Sequence, residues 1–269
     1  MEMENSPVLL ARDRHGSFAN EPALRQVCFD IAYRLYAHPT TSAQRLNRLE
    51  QEQFLRDLEA LAEGGSCAVL AQPMEGLPRG LSPLAALEHN PDLAIATHYY
   101  VRPDDMEIRH ASNTDVSEAR MSLTLTPSHV VEVANNMVPL LTEFADFITH
   151  FKVTSPRGQG TRPDSIVIYL NQARISRARE LAARLRGMAT PETWATGSPL
   201  GMQALHAGIA YAEFNRNSVS HSFGEDRARM VVDALINSMS RGTHLQTEVE
   251  KAILGRRYSL DNPALIART

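Results

Sequence analysis

One stretch, residues 120–170, limits the possible folds of this chain more than any other. Residues 120–126 (RMSLTLT) alternate in the manner of a β-strand, and the spacing of apolar residues over 127–148 predicts a helix. Strand-like runs at 150–155 and 164–170 then flank a loop rich in Gly and Pro, which predicts a hairpin. This order predicts an α+β fold in which helices flank a small antiparallel or mixed sheet.

The rest of the chain alternates between helical patterns and irregular segments. Apolar spacing predicts helices at 21–37, 42–62, 171–186 and 228–240, and residues 96–102 are β-prone. Frequent Gly and Pro predict irregular structure over 64–92 and 190–221, with one ordered patch at 205–214.

These patterns predict one main domain. Residues 1–20 read as a flexible arm, 21–255 as a single α+β domain with a helical pair at 21–63 packed on it, and 256–269 as a C-terminal tail.

Composition narrows the functional classes. The formal net charge of -4 argues against a general nucleic-acid or membrane-surface binder. Cys28 and Cys67 are too few for a disulfide framework, so a reducing compartment fits the chain. The N-terminal residues lack the pattern of a secretory signal, and no apolar run reaches the length of a membrane span. We therefore expect a soluble, cytoplasmic protein.

Lysine is almost absent from this chain. Of 27 basic residues, only Lys152 and Lys251 are lysine. Lys251 falls in a charged helical pattern where arginine would serve equally, whereas Lys152 stands in a strand-like run with apolar neighbours. Arginine keeps its proton in proteins, but a lysine among apolar and cationic neighbours can lose its proton and act as a base. Lys152 is therefore a candidate base, although with two lysines chance also accounts for its position.

Three arginines and a tyrosine accompany Lys152 on separate predicted elements. Arg120 opens a strand, Arg162 precedes the strand that contains Tyr169, and Arg227 lies near a helix start. The predicted hairpin would bring Lys152 and Tyr169 near one another. Arginines that converge from different elements commonly hold a phosphate, because the planar guanidinium donates paired, charge-assisted hydrogen bonds. The alternative, which spacing alone favours, is that each arginine pairs with a nearby carboxylate such as Glu118, Asp164 or Glu225.

Common cofactor and metal motifs are missing from the sequence. It contains no Walker loop, Rossmann glycine fingerprint, HExxH or GxSxG motif, and its ten histidines form no metal spacing. A lone histidine such as His129 or His150 more often has a surface or core role than a ligand role.

Five short motifs follow one another along the chain: RMSLTL at 120–125, FKV at 151–153, TRPDSIVIYL at 161–170, HAGIAYAE at 206–213 and SFGEDR at 222–227. Together they resemble the HopA-type family of bacterial type III effectors, which also occurs as stand-alone proteins in peptide natural-product gene clusters. The resemblance covers roughly residues 21–240 and is diffuse at its N-terminal end. The order of elements is more distantly similar to bacterial phosphothreonine lyases and to the lyase domains of lanthipeptide synthetases.

The resemblance implies a phosphothreonine-lyase-like fold and elimination of phosphate from phosphoserine or phosphothreonine, without a cofactor or metal. Lys152 would be the base and Arg162 and Arg227 the phosphate clamp. Arg120 and Tyr169 would support the phosphate or the substrate backbone. Clustered arginines would lower the pKa of Lys152, as a neutral amine base requires.

The general acid is left open by the resemblance. Phosphothreonine lyases carry a catalytic histidine in the strand where this chain has Met121, Ser122 and Leu123. Substitutes for that histidine are His110, His206, His221 and Tyr169. A phosphate fully held by arginines would alternatively leave without an acid.

The implied setting is biosynthesis of a ribosomal peptide of the lanthipeptide or thioamitide type. The partners would be a phosphorylated precursor peptide and a separate Ser/Thr kinase, and the products dehydroalanine and dehydrobutyrine. The alternative is a type III effector, secreted from the cell, or a non-catalytic protein of the same fold that binds peptide or kinase.

Overall fold

The structure is a computed structural model that describes residues 18, 20–37, 45–104, 117–215 and 222–267. Its contacts divide the chain into two compact units. The larger unit comprises residues 38–214, and the smaller unit is built from both ends of the chain, 1–37 and 215–269.

The larger unit is organised on a seven-stranded sheet in which every described pair of neighbours is antiparallel. The spatial order is β1-β2-β4-β5-β3-β7-β6. In chain order the strands are β1 (Cys67–Ala71), β2 (Tyr99–Pro103), β3 (Ala119–Leu123), β4 (Ile148–Val153), β5 (Ile166–Leu170), β6 (Gln203–His206) and β7 (Ile209–Glu213).

The described residues also form eight α-helices: α1 (Glu21–Ala37), α2 (Arg48–Glu59), α3 (Pro83–His89), α4 (Pro91–Ala96), α5 (Val130–Glu143), α6 (Ile175–Arg186), α7 (Phe223–Arg241) and α8 (Leu245–Gly255). In the larger unit α5 contacts β2 and β4, and α6 contacts β6 and β7. The predicted α+β class, with helices flanking an antiparallel sheet, is confirmed.

Register separates the sheet into two chemically different faces. Met121 of β3 stands opposite Ile168 of β5 and Tyr211 of β7, and Phe151 of β4 stands opposite Val101 of β2 and Ile168. These side chains are at most 1% exposed, so this face is an apolar core. Because side chains alternate along a strand, the residues between them lie on the other face, which is more polar.

A β-bulge interrupts the pairing of β4 with β5. Ile148 is opposite Leu170, and His150 is opposite Tyr169, the next residue back along β5. Thr149 is therefore the extra residue of the bulge. Its hydroxyl donates to the Tyr169 carbonyl at 3.1 Å, which anchors the bulge to the neighbouring strand.

Most predicted elements are present, but the segment 64–92 was predicted wrongly as irregular. It contains β1, α3 and part of α4. Ser82 and Asn90 accept hydrogen bonds from the first turns of these two helices, each of which begins with a proline. The Gly and Pro residues thus separate short elements rather than prevent them. The predicted hairpin of 150–155 with 164–170 corresponds to β4 and β5.

The smaller unit packs α1 and α8 against α7. Leu24 of α1 contacts Val232 and Ile236 of α7 in a buried cluster. The segment predicted as a C-terminal tail forms an antiparallel bridge between Tyr258 and Ile266. No helix in the described ranges is long and apolar enough to cross a membrane.

Candidate functional site

The polar side of the sheet gathers the basic and aromatic residues of four neighbouring strands. Tyr100 is opposite Lys152, His150 is opposite Tyr169, and Tyr169 is opposite Arg120. We call this surface the basic face; its side chains are Tyr100, Arg102, Arg120, His150, Lys152 and Tyr169. The predicted proximity of Lys152 and Tyr169 holds, because the two lie on adjacent strands and on one face.

Lys152 lies on this face and forms no ion pair with any carboxylate that the structure describes. Its side chain is half-buried, and no described carboxylate lies within 4.0 Å of its ammonium nitrogen. Burial lowers the pKa of Lys152, and the positive charges of Arg162 and Arg120 add to that effect, while Asp164 and Tyr100 oppose it. An amine in this setting is easier to deprotonate than an ordinary lysine, which is the property that a base requires.

Arg162 is paired with a carboxylate. Its Nε donates to Asp164 Oδ1 at 2.9 Å and its Nη2 donates to Asp164 Oδ2 at 3.1 Å. Burial alone would raise the pKa of Asp164, but the charge and hydrogen bonds of Arg162, helped by Lys152, lower it to about 2. The carboxylate alternative is therefore the arrangement seen for Arg162, and its role in binding phosphate stays a prediction.

His150 is held between two tyrosines. Its ring stacks on Tyr169 with the centroids 4.5 Å apart and meets the Tyr100 ring edge-on at 5.6 Å. Burial lowers the pKa of His150 to about 4, with help from the charges of Lys152 and Arg102. The ring is therefore neutral near pH 7. Sequence reasoning favoured a surface or core role for this residue, and the structure places it on the basic face.

His98 was missed in the sequence. It precedes β2, two residues before Tyr100, and its Nδ1 accepts the backbone N–H of Ser155 at 3.0 Å. Burial lowers the pKa of His98 well below its ordinary value, the charges of Lys152 and Arg162 lower it further, and Asp164 opposes them. His98 is therefore close enough to Lys152 and Arg162 for their charges to affect its pKa, and we place it beside the basic face. The sequence feature that could have identified His98 is its two-residue spacing from Tyr100 within a predicted strand, which puts both side chains on the same face.

Arg227 belongs to the smaller unit, in different surroundings from the other predicted site residues. Its guanidinium lies 3.6 Å from the ring centroid of Tyr258 and 4.6 Å from that of Phe223. The residue is 5% exposed, and within the described part of the chain its Nε, Nη1 and Nη2 have no hydrogen-bond partner. Burial lowers the pKa of this guanidinium. Its joint action with Arg120 and Arg162 stays a prediction.

Of the four acid candidates, Tyr169 lies on the basic face with Lys152, whereas His206 does not. His206 is exposed on β6, an edge strand separated from β4 by β5, β3 and β7. His110 and His221 lie outside the described residues. Ser122, in the strand where the resemblance implied a histidine, is fully buried, and its Oγ bonds to no described residue.

Ligands for a metal ion are not clustered in the ranges that the structure describes. There, no group of three or more His, Cys, Asp or Glu side chains is placed to hold an ion. The basic face instead presents cations and neutral rings, a set that suits an anion such as phosphate.

Comparison with known proteins points to one family. The model of the HopA1 effector protein family matches residues 90–265. Protein HrmA of Pseudomonas syringae pv. syringae is 28% identical over 156 residues, which is 57% of this chain and 40% of HrmA. The match thus spans well under half of that relative.

Two solved structures share the fold. The effector protein from Pseudomonas syringae pv. syringae strain 61 superposes with a TM-score of 0.72 at 24% identity, covering 93% of this chain and 98% of the other. The effector protein from Pseudomonas syringae pv. tomato strain DC3000 gives 0.73 at 23% identity, covering 95% and 100%. At this identity the likeness concerns the fold.

Proposed function

The chain belongs to the HopA1 effector protein family, and we propose that it is a lyase that eliminates phosphate from phosphoserine or phosphothreonine in a peptide. The observation that carries this proposal is Lys152, an amine with a lowered pKa and no acidic partner among the described residues, on a face lined with arginines. The products would be dehydroalanine or dehydrobutyrine.

The proposed step needs only a base and an anion site. The Lys152 lone pair takes the Cα proton, and the electrons of that C–H bond form the Cα=Cβ double bond. The Cβ–O bond breaks, and its electron pair leaves with the phosphate. Lys152 ends as an ammonium that returns its proton to solvent. Positive charge on the same face stabilises both the carbanion-like transition state and the departing phosphate.

Arginine would hold the phosphate at the basic face. Arg120 lies on the same face as Lys152, and Asp164 fixes the orientation of the Arg162 guanidinium beside it. Arg227, in the smaller unit, has a buried guanidinium with no hydrogen-bond acceptor among the described residues, and its role in binding phosphate stays a prediction. Tyr169 would contact the phosphate or the peptide backbone. The substrate we propose is a ribosomal precursor peptide phosphorylated by a separate kinase.

Substitution of Lys152 tests this function. The full chain is incubated with a phosphoserine and a phosphothreonine peptide, and the products are weighed by mass spectrometry. Elimination gives a peptide one water lighter than the unphosphorylated peptide, whereas a phosphatase restores the unphosphorylated mass and would overturn the proposal. Lys152→Arg keeps the positive charge but cannot deprotonate, so we expect it to abolish elimination and retain peptide binding. Lys251→Arg, at the other lysine, is the matched control and should be fully active.

A second candidate is a type III effector that binds phosphorylated peptide or a kinase without turnover. Two observations favour it: Arg162 is held by Asp164, and the strand Met121-Ser122-Leu123 has no histidine where the phosphothreonine lyases carry one. This candidate predicts peptide binding that Arg120→Ala weakens, with no mass change in any peptide and no effect of Lys152→Arg.

A further inference from the structure

The two histidines near Lys152 have their ring nitrogens constrained by different partners. His98 Nδ1 receives the backbone N–H of Ser155 at 3.0 Å, so this nitrogen must carry a lone pair. A neutral imidazole has one protonated nitrogen, and the proton of His98 must therefore be on Nε2. Protonating Nδ1 as well would set two donors against each other; separately, burial and the charges of Lys152 and Arg162 lower the pKa of this ring.

His150 is constrained in the opposite sense. Its Nδ1 lies 3.0 Å from the hydroxyl oxygen of Thr149. That hydroxyl has one proton, which it donates to the carbonyl of Tyr169 at 3.1 Å. Thr149 can then only accept from His150, so the proton of His150 is on Nδ1 and its Nε2 carries the lone pair.

We propose that these hydrogen bonds hold His98 and His150 in opposite neutral tautomers, so that His98 offers an N–H donor and His150 an acceptor beside Lys152. In each ring Nε2 bonds to no described residue and is left for a ligand or solvent. Resting on the proposed function, we assign His98 Nε2–H as the donor to the phosphate oxygen that leaves Cβ. No proton is transferred: the hydrogen bond stabilises the departing phosphate, so no imidazolium acid is required.

Nuclear magnetic resonance of the full chain labelled with ¹⁵N-histidine tests the tautomers without any turnover. Long-range ¹H–¹⁵N correlations distinguish protonated from unprotonated ring nitrogens, and single substitutions assign the two rings. We expect the proton on Nε2 of His98 and on Nδ1 of His150 at neutral pH. The same tautomer in both rings, or a charged His98, overturns the proposal.

Thr149 supplies a matched pair of variants for this measurement. Thr149→Val removes the acceptor and should move the His150 proton toward Nε2, the nitrogen that free imidazole side chains favour, while His98 is unchanged. Thr149→Ser keeps the hydroxyl and should keep the wild-type pattern. An unaltered His150 tautomer in Thr149→Val would show that this hydroxyl does not set it.

Two variants of His98 separate its donor from its structural role. The amide of Asn lies near the position of Nδ1, so His98→Asn keeps an acceptor for Ser155 and removes the donor. The amide of Gln reaches the position of Nε2 and keeps a donor there. We expect His98→Asn to lower kcat for elimination on the order of a hundredfold, with peptide binding unchanged, and His98→Gln to restore much of it. Equal activity in both variants overturns the assignment of the donor.

The two proposals fail in different ways. If the wild-type protein eliminates no phosphate, the proposed function and the donor role of His98 are overturned together, whereas the tautomers are judged by the resonance measurement alone. If elimination occurs and the tautomers are not opposite, the lyase function stands and this inference is wrong.

Discussion

Asp164 sits among the cations of the candidate site and is 3% exposed. It binds Arg162 through both of its oxygens, and its charge also acts on Lys152. Its presence has two opposed effects, because it orients one cation while raising the pKa of the amine that the proposed chemistry needs deprotonated. A buried carboxylate here is therefore better explained by the need to keep Arg162 in place than by a need to activate Lys152.

Removal of the Asp164 charge should destabilise the protein in a pH-dependent way. Asp164→Asn leaves Arg162 buried without its carboxylate, and we expect a loss of about 3 kcal/mol in the free energy of unfolding at pH 7. The folded pKa of about 2 is below the unfolded value, so this contribution is present above pH ~4 and disappears as the pH falls toward 2. Urea unfolding between pH 2 and pH 7 measures it.

An exposed ion pair gives the control for that prediction. Asp146 binds Arg177 at 3.0 Å, but its side chain is 70% exposed. Asp146→Asn should change stability far less than Asp164→Asn does, because solvent screens the pair. Equal losses in the two variants would contradict the role given to the buried pair.

Secondary-structure elements differ in how far sequence could predict them. The β4–β5 hairpin was predictable because its strands are adjacent in the chain and separated by a recognisable Gly- and Pro-rich turn, which placed Lys152 and Tyr169 together. The approach of His98 was not, because β2 pairs with β4 across an intervening strand and helix. The bulge at Thr149 could not be predicted either, because a bulge depends on the pairing with the neighbouring strand as much as on β4 itself.

One helix contact is close enough to be tested by adding a single methyl group. At Gly224 in α7, a Cβ would overlap the ring of Tyr36 in α1. Gly224→Ala should therefore destabilise the smaller unit by about 1–3 kcal/mol. At Gly255, the last residue of α8, a Cβ meets nothing within 4 Å, and Gly255→Ala should be neutral or stabilising. Thermal unfolding of both variants checks the difference, and destabilisation by Gly255→Ala alone would contradict it.

The molecule as a whole is acidic, with a formal net charge of -4, although the candidate site is cationic. Attraction of the proposed anionic substrate would then depend on this local cluster rather than on the overall charge. The sequence motifs predicted both the membership of the family and the fold that the chain shares with other effector proteins. What sequence could not supply is the arrangement of the chain ends, because residues 20–37 and 222–267 are far apart in the sequence and share one compact unit only in the fold.

Binding of a phosphorylated peptide should therefore depend on both phosphate and salt. We expect its affinity to fall as ionic strength rises, because the Debye length shortens from about 10 Å at 0.1 M to about 3 Å at 1 M. Fluorescence anisotropy of a labelled peptide measures this dependence. The unphosphorylated peptide should bind more weakly and with a smaller salt effect; equal salt dependence for both peptides would contradict recognition of the phosphate.

The bulge in β4 has a consequence for how such a site can vary. Ile148, His150 and Lys152 are spaced by two, so an uninterrupted strand would point all three the same way. The extra residue, Thr149, reverses the alternation of side chains between the two faces. Ile148 is therefore paired with Leu170 on the core side, while His150 and Lys152 lie on the opposite surface. One inserted residue thus places Ile148 and His150 on opposite surfaces of the sheet, although they are two residues apart. A substitution at Thr149 alone can therefore change the tautomer of the neighbouring imidazole of His150 without altering the hydrophobic core.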